Sequence, residues 1–458
     1  MLRPQLNETE RARAHTRARR FAMMVLLFLF VFTHRGILSQ NDLSRYVAAN
    51  SLATRGTFAI DGSPYAQMMI ERDGREYRMM NDIVRNPRDG RLYSSKPPVQ
   101  TLVLAGVLKV FHLMGADFSF VGSEAAVPTF LLTWLTVGTV TALGFYAFRR
   151  KLSGFTKDAE GDLVTVFVLG GTIFLSYSTS LNNHTVGATL IIISFFLLGM
   201  GEARKEVSLL RVAAAGFLMA VASVIDIGPG FIFSVAFALY IVFYMHSWKA
   251  LVAFGLGGLP PLAVHCAVQY SIWGSVLPVQ MQGRLARFPG SYWQNPVGPD
   301  AWDIPRWKYW LLTLFSGRGL FIVSPVLLVG AAGLAEELRR AWRGPVESRG
   351  ERAGQGYVAL TVLFGMVFLV WYFGFRVATN FGGSCFGFRW YMGFVPLLSW
   401  YAARYYARHR KEERFWRLFI ILGLVSLMYA LIGMQEPWTL MENNPHPAAR
   451  FLMAFRGF

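Results

Sequence analysis

Long apolar stretches separated by short polar ones run along almost the whole chain. Such stretches predict membrane-spanning helices, which need about 20 residues. Eleven of them lie near 21–38, 126–148, 163–181, 185–201, 208–225, 229–246, 250–270, 309–334, 357–374, 388–402 and 417–434. A shorter apolar run, 99–114, contains Lys109 and His112. The pattern predicts an all-α polytopic membrane protein with about eleven transmembrane helices and a single membrane domain over 1–458.

Composition agrees with this pattern. Only 16% of the 458 residues are charged and 54% are hydrophobic, whereas a soluble domain carries about 25% charged residues. A water-soluble globule of this size is therefore excluded, and with it the soluble Rossmann, barrel and sandwich folds. The two cysteines, Cys266 and Cys385, predict no disulfide framework.

The net charge of +18 has a topological interpretation that requires no nucleic acid partner. Basic residues gather on cytoplasmic loops. The segment 99–114 can lie at the outer interface or enter the membrane and return to the same side. In either case the basic connections share one side of the membrane with the basic tail 1–20. The charge bias therefore predicts an N-in/C-out topology with a cytoplasmic tail. The basic connections are 149–162, 202–207, 246–249, 335–356 and 403–416.

Three segments then form the outer face. The first outer loop, 39–125, is long and charged and is predicted to carry interfacial helices. The second outer loop, 271–308, is rich in tryptophan and proline, and the outer C-terminal tail is 435–458. Polar residues concentrated there predict that the protein works at the outer interface.

An acid follows the first predicted span at once, in the run Ser39-Gln40-Asn41-Asp42. A carboxylate at this depth can take a proton from a hydroxyl group. Asp42 can equally cap the helix that follows. The two roles are compatible.

A second motif, Tyr93-Ser94-Ser95-Lys96-Pro97-Pro98, precedes the run 99–114. The paired prolines exclude helix across 97–98 and start the next helix sharply. Lys96 is then held near the phosphate plane, where an ammonium can meet a lipid phosphate. The alternative is a lysine that anchors the chain by reaching toward the headgroups.

Arg318 and Arg389 lie in or at the edge of apolar spans, where a charged residue is by default a functional candidate. A guanidinium can hold phosphate through two parallel hydrogen bonds. The alternative is an interfacial arginine that reaches the headgroups. Gly317 and Gly319 would let the helix open beside Arg318.

Asp226, Asn183 and His184 lie at predicted outer ends of spans. Asp226 either lines a cavity or caps the next helix. His184 is a candidate contact for sugar or phosphate, although a turn also explains it.

The acid after the first span, the long outer loop and the Tyr-Ser-x-Lys-Pro-Pro motif, in this order, resemble the C-type integral-membrane glycosyltransferases. The nearest branch contains the protein O-mannosyltransferases and the aminoarabinose transferase that modifies lipid A. Asn182-Asn183-His184, the run 316–321 and the run 387–391 also fit loosely. The resemblance covers most of the chain in topology and rests on short motifs.

The resemblance implies an inverting enzyme that moves a sugar, hexosyl or pentosyl, from a polyprenyl-phosphate donor to an acceptor. It implies Asp42 as the base and Lys96 as a contact of the donor phosphate. The chemistry of a phosphate leaving group makes Arg318 and Arg389 candidates for the same phosphate. Tyr93 joins Asn183, His184 and Asp226 as a candidate substrate-binding residue. Where the family commonly has an acidic pair, this chain has Asn41 before Asp42. Asp82 is the nearest second acid, and its alternative role is an Asx-turn.

No metal-ligand set or certain cofactor is predicted, and a divalent metal stays open. The resemblance also implies a bacterial inner membrane protein whose active site faces outward, with a glycan, lipid or protein as acceptor. The competing hypothesis is a transporter or lipid flippase, although the internal symmetry common in transporters is not apparent in the sequence. An inactive relative that binds an undecaprenyl lipid is the third possibility.

Overall fold

The computed structural model describes residues 7–72, 74–301, 303–343, 349–375, 382–383 and 385–438. Most of the predicted outer tail, 439–458, lies outside the described residues, as do parts of the outer connection 375–387. The described chain is mostly helical.

The longer helices follow the apolar stretches of the sequence. They are α1 (Glu8–Phe32), α2 (Gln40–Arg55), α3 (Pro98–Leu113), α4 (Gly122–Leu152), α5 (Asp158–Thr165), α6 (His184–Leu197), α7 (Leu209–Ile225), α8 (Ile227–Met245), α9 (Trp248–Trp273), α10 (Arg306–Phe315), α11 (Leu327–Arg343), α12 (Arg349–Gly374), α13 (Val395–His409) and α14 (Glu413–Gln435). Short helical turns lie at Pro64–Gln67, Ile173–Ser176 and Leu320–Val323.

Five helices among the described residues are long and apolar enough to cross a membrane, and a sixth is counted if a bent pair forms one span. The bent pair is Arg306–Val323 with Leu327–Arg343, at 102°. Other predicted spans are shorter apolar helices, such as α6 and α7. The chain thus has the predicted polytopic helical character, while the count of eleven stays a prediction.

The first outer loop contains β-structure as well as helices, so the all-α prediction is wrong for this segment. One hairpin pairs β1 (Met69–Arg72) with β2 (Arg75–Arg78), and a second pairs β3 (Ile83–Arg85) with β4 (Leu92–Ser94). Both hairpins are antiparallel. The predicted helices on either side are present as α2 and α3, which pack on each other.

Polar contacts between the segments that connect the helices form two groups, as the charge pattern predicts. At one end, Arg17 and Arg149 both bind Asp162, Lys151 binds Glu202, and Arg404 binds Glu337. At the other end, residues of the first outer loop contact the connections near 182–183 and 272. The basic tail continues into α1, which begins at Glu8 and ends at Phe32. Helix α1 is not among the five candidate spans of the described residues, so the predicted first span at 21–38 stays a prediction.

The helices α7 and α9 approach very closely through glycines. A Cβ atom added at Gly216 would lie 1.9 Å from the Phe254 carbonyl oxygen, and one at Gly257 would lie 2.0 Å from the Ala213 carbonyl oxygen. Small residues allow such close backbone contact between membrane helices. This packing fixes α9, whose last turn reaches the first outer loop.

Candidate active site

The second hairpin brings two predicted site residues into direct contact. Asp82 precedes β3 and Lys96 follows β4, and the Lys96 Nζ lies 2.9 Å from the Asp82 Oδ1. The Ser95 amide also donates to the Asp82 carbonyl at 3.0 Å. Their side chains are only 16% and 18% exposed. Antiparallel pairing of the strands is what joins these residues, which are distant along the sequence.

Arg45 and Arg389 add positive charge to this pair. Burial lowers the pKa of Lys96 to about 8 against the opposing effect of Asp82, and the charges of Arg45 and Arg389 lower it further. Burial would raise the pKa of Asp82, but Lys96, Arg45 and Arg389 together hold it below its ordinary value. Lys96 thus contacts the Asp82 carboxylate directly, and the charges of Arg45 and Arg389 act on it from nearby. An excess of positive charge attracts an anion.

Arg45 is a candidate site residue that the sequence pattern did not single out. It is 1% exposed, and its Nε donates to the Gln100 Oε1 at 2.9 Å while its Nη2 donates to the Asn183 Oδ1 at 2.6 Å. It also donates to the carbonyl oxygen and the side chain of Asn41. Burial lowers the pKa of Arg45 to about 10. The available signal was an arginine one helical turn after Asp42, among the apolar residues of α2.

The predicted residues Asn183, His184 and Asp226 form one hydrogen-bonded group. The Asn183 Nδ2 donates to the Asp226 Oδ1 at 3.0 Å, and the His184 Nδ1 lies 3.0 Å from the Asp226 Oδ2. All three side chains are buried. Because Asn183 also accepts from Arg45, the group is linked to the cation cluster.

The two predicted arginines differ in their surroundings. Arg389 lies over the Trp438 ring at 4.3 Å, and its Nη2 donates to the Gly382 carbonyl at 2.7 Å. The Arg389 Nε is buried and has no hydrogen-bond partner in the described structure. The Arg318 Nη1 donates to the Cys385 carbonyl at 3.3 Å. Arg389 is close enough to affect the pKa of Lys96. Arg318 contacts the same connection as Arg389, at Cys385.

Asp42 occupies the first turn of α2 in a capping box with Ser39. Its Oδ1 accepts from the Ser39 amide at 2.7 Å and from the Ser39 hydroxyl at 2.6 Å, while its Oδ2 accepts from the Leu38 amide at 3.1 Å. Ser39 is the N-cap, and Asp42 is the third helical residue. Burial raises the pKa of Asp42 despite these hydrogen bonds.

A small cleft opens beside Lys96, between the second hairpin, α2, α3 and the end of α9. Lys96 and Tyr93 both line it. The Tyr93 hydroxyl donates to the Asp89 Oδ2 at 2.6 Å, and the Tyr93 ring lies edge-on to Trp273. Burial and Asp89 raise the pKa of Tyr93 to about 12, so its hydroxyl stays protonated at neutral pH.

The described residues contain no group of three His, Cys, Asp or Glu side chains arranged to hold a metal ion. The divalent metal left open by the sequence therefore stays a hypothesis. What the described residues assemble is a polar site with three cations, flanked by Asp42 and by the Asn183–His184–Asp226 group, within a helical membrane protein.

The sequence matches no protein-family model and none of the curated proteins with which it was compared. Among solved structures, the fold is similar to ArnT from Cupriavidus metallidurans bound to undecaprenyl phosphate. The TM-score is 0.48 at 13% identity, covering 90% of this chain and 68% of that one. For ArnT in the apo state, the TM-score is 0.47 at 13% identity, covering 88% of this chain and 61% of that one.

Proposed function

We propose that this chain is an inverting glycosyltransferase that moves a sugar from a polyprenyl-phosphate donor to an acceptor. The observation that carries the proposal is the largely buried ion pair of Lys96 with Asp82 beside a cleft, with the charges of Arg45 and Arg389 close enough to act on both residues. When the glycosidic bond breaks, negative charge grows on the leaving phosphate. Cations already aimed at that charge lower the barrier.

In this proposal Lys96 and Arg389 bind the donor phosphate. The Arg389 Nε is a buried donor without a partner in the described structure, and such donors are costly unless a ligand satisfies them. Arg45 does not bind the phosphate itself, because its donors already bond Gln100, Asn41 and Asn183. Its charge makes the electrostatic potential at the phosphate site more positive. Arg318 is assigned to the lipid or phosphate further along the same face.

Asp42 and Asp82 are both candidates for the base, and the geometry of the reaction distinguishes between them. Single displacement requires the base on the side of the sugar opposite the leaving group. Asp82 touches Lys96 and therefore lies on the phosphate side, where it positions the lysine. We assign the base to Asp42, whose Oδ2 accepts one hydrogen bond in the described structure. Its raised pKa makes it a stronger base than an ordinary aspartate.

The proposal includes the topology and localisation inferred from charge. The chain is oriented N-in/C-out with about eleven spans in a bacterial inner membrane. The tail 1–20 is cytoplasmic, the segments 39–125, 271–308 and 435–458 are outside, and the active site faces outward. Asn183, His184 and Asp226 support the substrate side of the pocket. The acceptor class is a glycan, a lipid or a protein.

The test uses purified full-length protein in nanodiscs, undecaprenyl phosphate for binding, and undecaprenyl-phosphate hexose for transfer. Asp42→Asn keeps an oxygen for the capping box, so it should stay folded and bind undecaprenyl phosphate while losing transfer. Lys96→Gln should lose binding. Lys109→Gln, at an exposed lysine of α3, is the matched control. Full transfer by Asp42→Asn would contradict the assignment of the base. Lipid movement across vesicles without a glycosylated product would support the flippase alternative.

A further inference from the structure

The cleft beside Lys96 contains a polar group that the phosphate chemistry does not use. Gln269, near the end of α9, lines this cleft and is 0% exposed. Neither its Oε1 nor its Nε2 has a hydrogen-bond partner in the described structure. A buried amide without partners destabilises the fold, because its hydrogen bonds to water are lost and nothing replaces them. Native proteins seldom retain such a group without a reason.

The other cleft residues indicate which ligand would satisfy that amide. Trp273 lies one helical turn after Gln269 and pairs edge-on with Tyr93, with ring centroids 5.2 Å apart. Thr101 adds a hydroxyl group on the α3 side. An amide that both donates and accepts can hold two neighbouring hydroxyl groups, while aromatic rings cover apolar C–H faces. A pyranose ring presents both features.

The charge of the cleft further limits the class of sugar that can bind there. Lys96 lines it, and the two nearby carboxylates already have partners, Asp82 with Lys96 and Asp89 with the Tyr93 hydroxyl. A cationic amino sugar would therefore find no free carboxylate among the described lining residues, which disfavours its binding. A neutral hydroxylated ring meets no such penalty.

We propose that Gln269 and Trp273 form a subsite for a neutral, uncharged sugar ring, with the Gln269 amide bonding two ring hydroxyls. This inference rests on the proposed function and specifies the class of sugar that the same site takes. Gln269 is covered by its neighbours, so the aromatic rings shift when the sugar enters. The ring belongs either to the donor or to the acceptor.

The first experiment compares two lipids, undecaprenyl phosphate and undecaprenyl-phosphate glucose, on the full chain in nanodiscs. Gln269→Leu should bind bare undecaprenyl phosphate like wild type and the glucosylated lipid about tenfold more weakly, if the donor ring occupies the subsite. Undecaprenyl-phosphate aminoarabinose should bind wild type more weakly than the glucosylated lipid.

The second experiment tests the acceptor as the source of the ring. Methyl glucopyranoside and methyl mannopyranoside are titrated into protein saturated with undecaprenyl-phosphate glucose, and saturation-transfer NMR detects binding. A signal that Gln269→Leu abolishes would identify an acceptor subsite.

His265→Leu is the matched control, since His265 is also buried with an unpartnered Nδ1 and lies one turn earlier on α9. Both leucine variants remove an unsatisfied polar atom and should keep or raise the melting temperature, but only Gln269→Leu should change sugar binding. Unchanged sugar binding by Gln269→Leu in both experiments would overturn the subsite, as would equal or tighter binding of the amino sugar. Failure of wild type to bind undecaprenyl phosphate would instead contradict the proposed function.

Discussion

Lys96 has a pKa of about 8, because burial and the charges of Arg45 and Arg389 disfavour its ammonium form against the opposing effect of Asp82. Its ordinary value is about 10.5. The charged form is present below pH 8 and disappears as the pH rises through that value. If the ammonium holds the donor phosphate, the affinity for the donor must follow the same titration.

We therefore expect the affinity for undecaprenyl phosphate to be constant near neutral pH and to fall as the pH rises above about 8. Lys96→Arg is the control, because a guanidinium keeps its charge throughout this range and should remove the decline. Titration of a fluorescent undecaprenyl phosphate at stepped pH measures the effect. Wild-type affinity that stays flat through about pH 10 would exclude Lys96 as the phosphate ligand.

Asp82 acts through Lys96 in this scheme. Its carboxylate raises the pKa of Lys96, so Asp82→Asn should lower that pKa below 8 and shift the alkaline limit of transfer to lower pH. The activity of Asp82→Asn should recover in part near about pH 6.5, because Lys96 regains its charge there. Glu76→Gln, at an exposed acid of the other hairpin, should leave the pH profile unchanged. A loss of activity that is equal at every pH would argue for Asp82 as the base.

At the scale of elements, the close approach of α7 and α9 holds one wall of the cleft in place. Gly216 faces the α9 backbone, and Gly257 faces the α7 backbone. A methyl group at either position must push the helices apart. The end of α9, with Gln269 and Trp273, would move with them.

Gly216→Ala and Gly257→Ala should each destabilise the protein by about 1–3 kcal/mol, the usual range for overpacking. Gly255→Ala is a control on the same helix, because a Cβ atom there meets no atom within 4 Å. Thermal unfolding in detergent measures the difference. Equal melting temperatures for all three variants would show that this helix contact is adaptable.

A second element carries Arg318. Helix α10 ends at Phe315, and a helical turn resumes at Leu320. The predicted opening beside Gly317 and Gly319 is confirmed. A Cβ atom at Gly319 would lie 2.4 Å from the Leu314 carbonyl carbon, so the tight turn itself requires glycine at this position.

At the scale of the whole molecule, the polar contacts separate into two ends, and the charge pattern assigns one end to the cytoplasm. Arg17, Arg149 and Arg404 lie at the basic end, each paired with an acid. The candidate site lies at the other end. Function on the outer side depends on this orientation.

Single cysteines can establish the orientation in a background where Cys266 and Cys385 are replaced by alanine. The variant Glu124→Cys should react with an impermeant maleimide in intact spheroplasts, because 39–125 is predicted to be outside. A cysteine at Lys157 should react only after permeabilisation. Both positions are exposed. The reverse pattern would place the site in the cytoplasm and contradict the proposed donor chemistry.

Residue types and local order were enough to predict part of the site. Lys96 was singled out because a lysine precedes paired prolines, and Asp42 because an acid follows the first span. Arg45 and Gln269 were missed, since their importance depends on partners distant along the sequence: Arg45 bonds Gln100 and Asn183. Gln269 matters because it has no partner in the described structure.

The sequence by itself determined the helical membrane character, because apolar length and the shortage of charge are local quantities. It also predicted the grouping of the basic connections, since charge bias adds along the chain. Only the tertiary structure decided which polar groups meet. The pairing of Asp82 with Lys96 depends on a hairpin register, and the cleft depends on α9 packing against α7. The first arises within one hairpin whose register the hydrophobic pattern did not predict, and the second arises from two helices that are separated in sequence by α8.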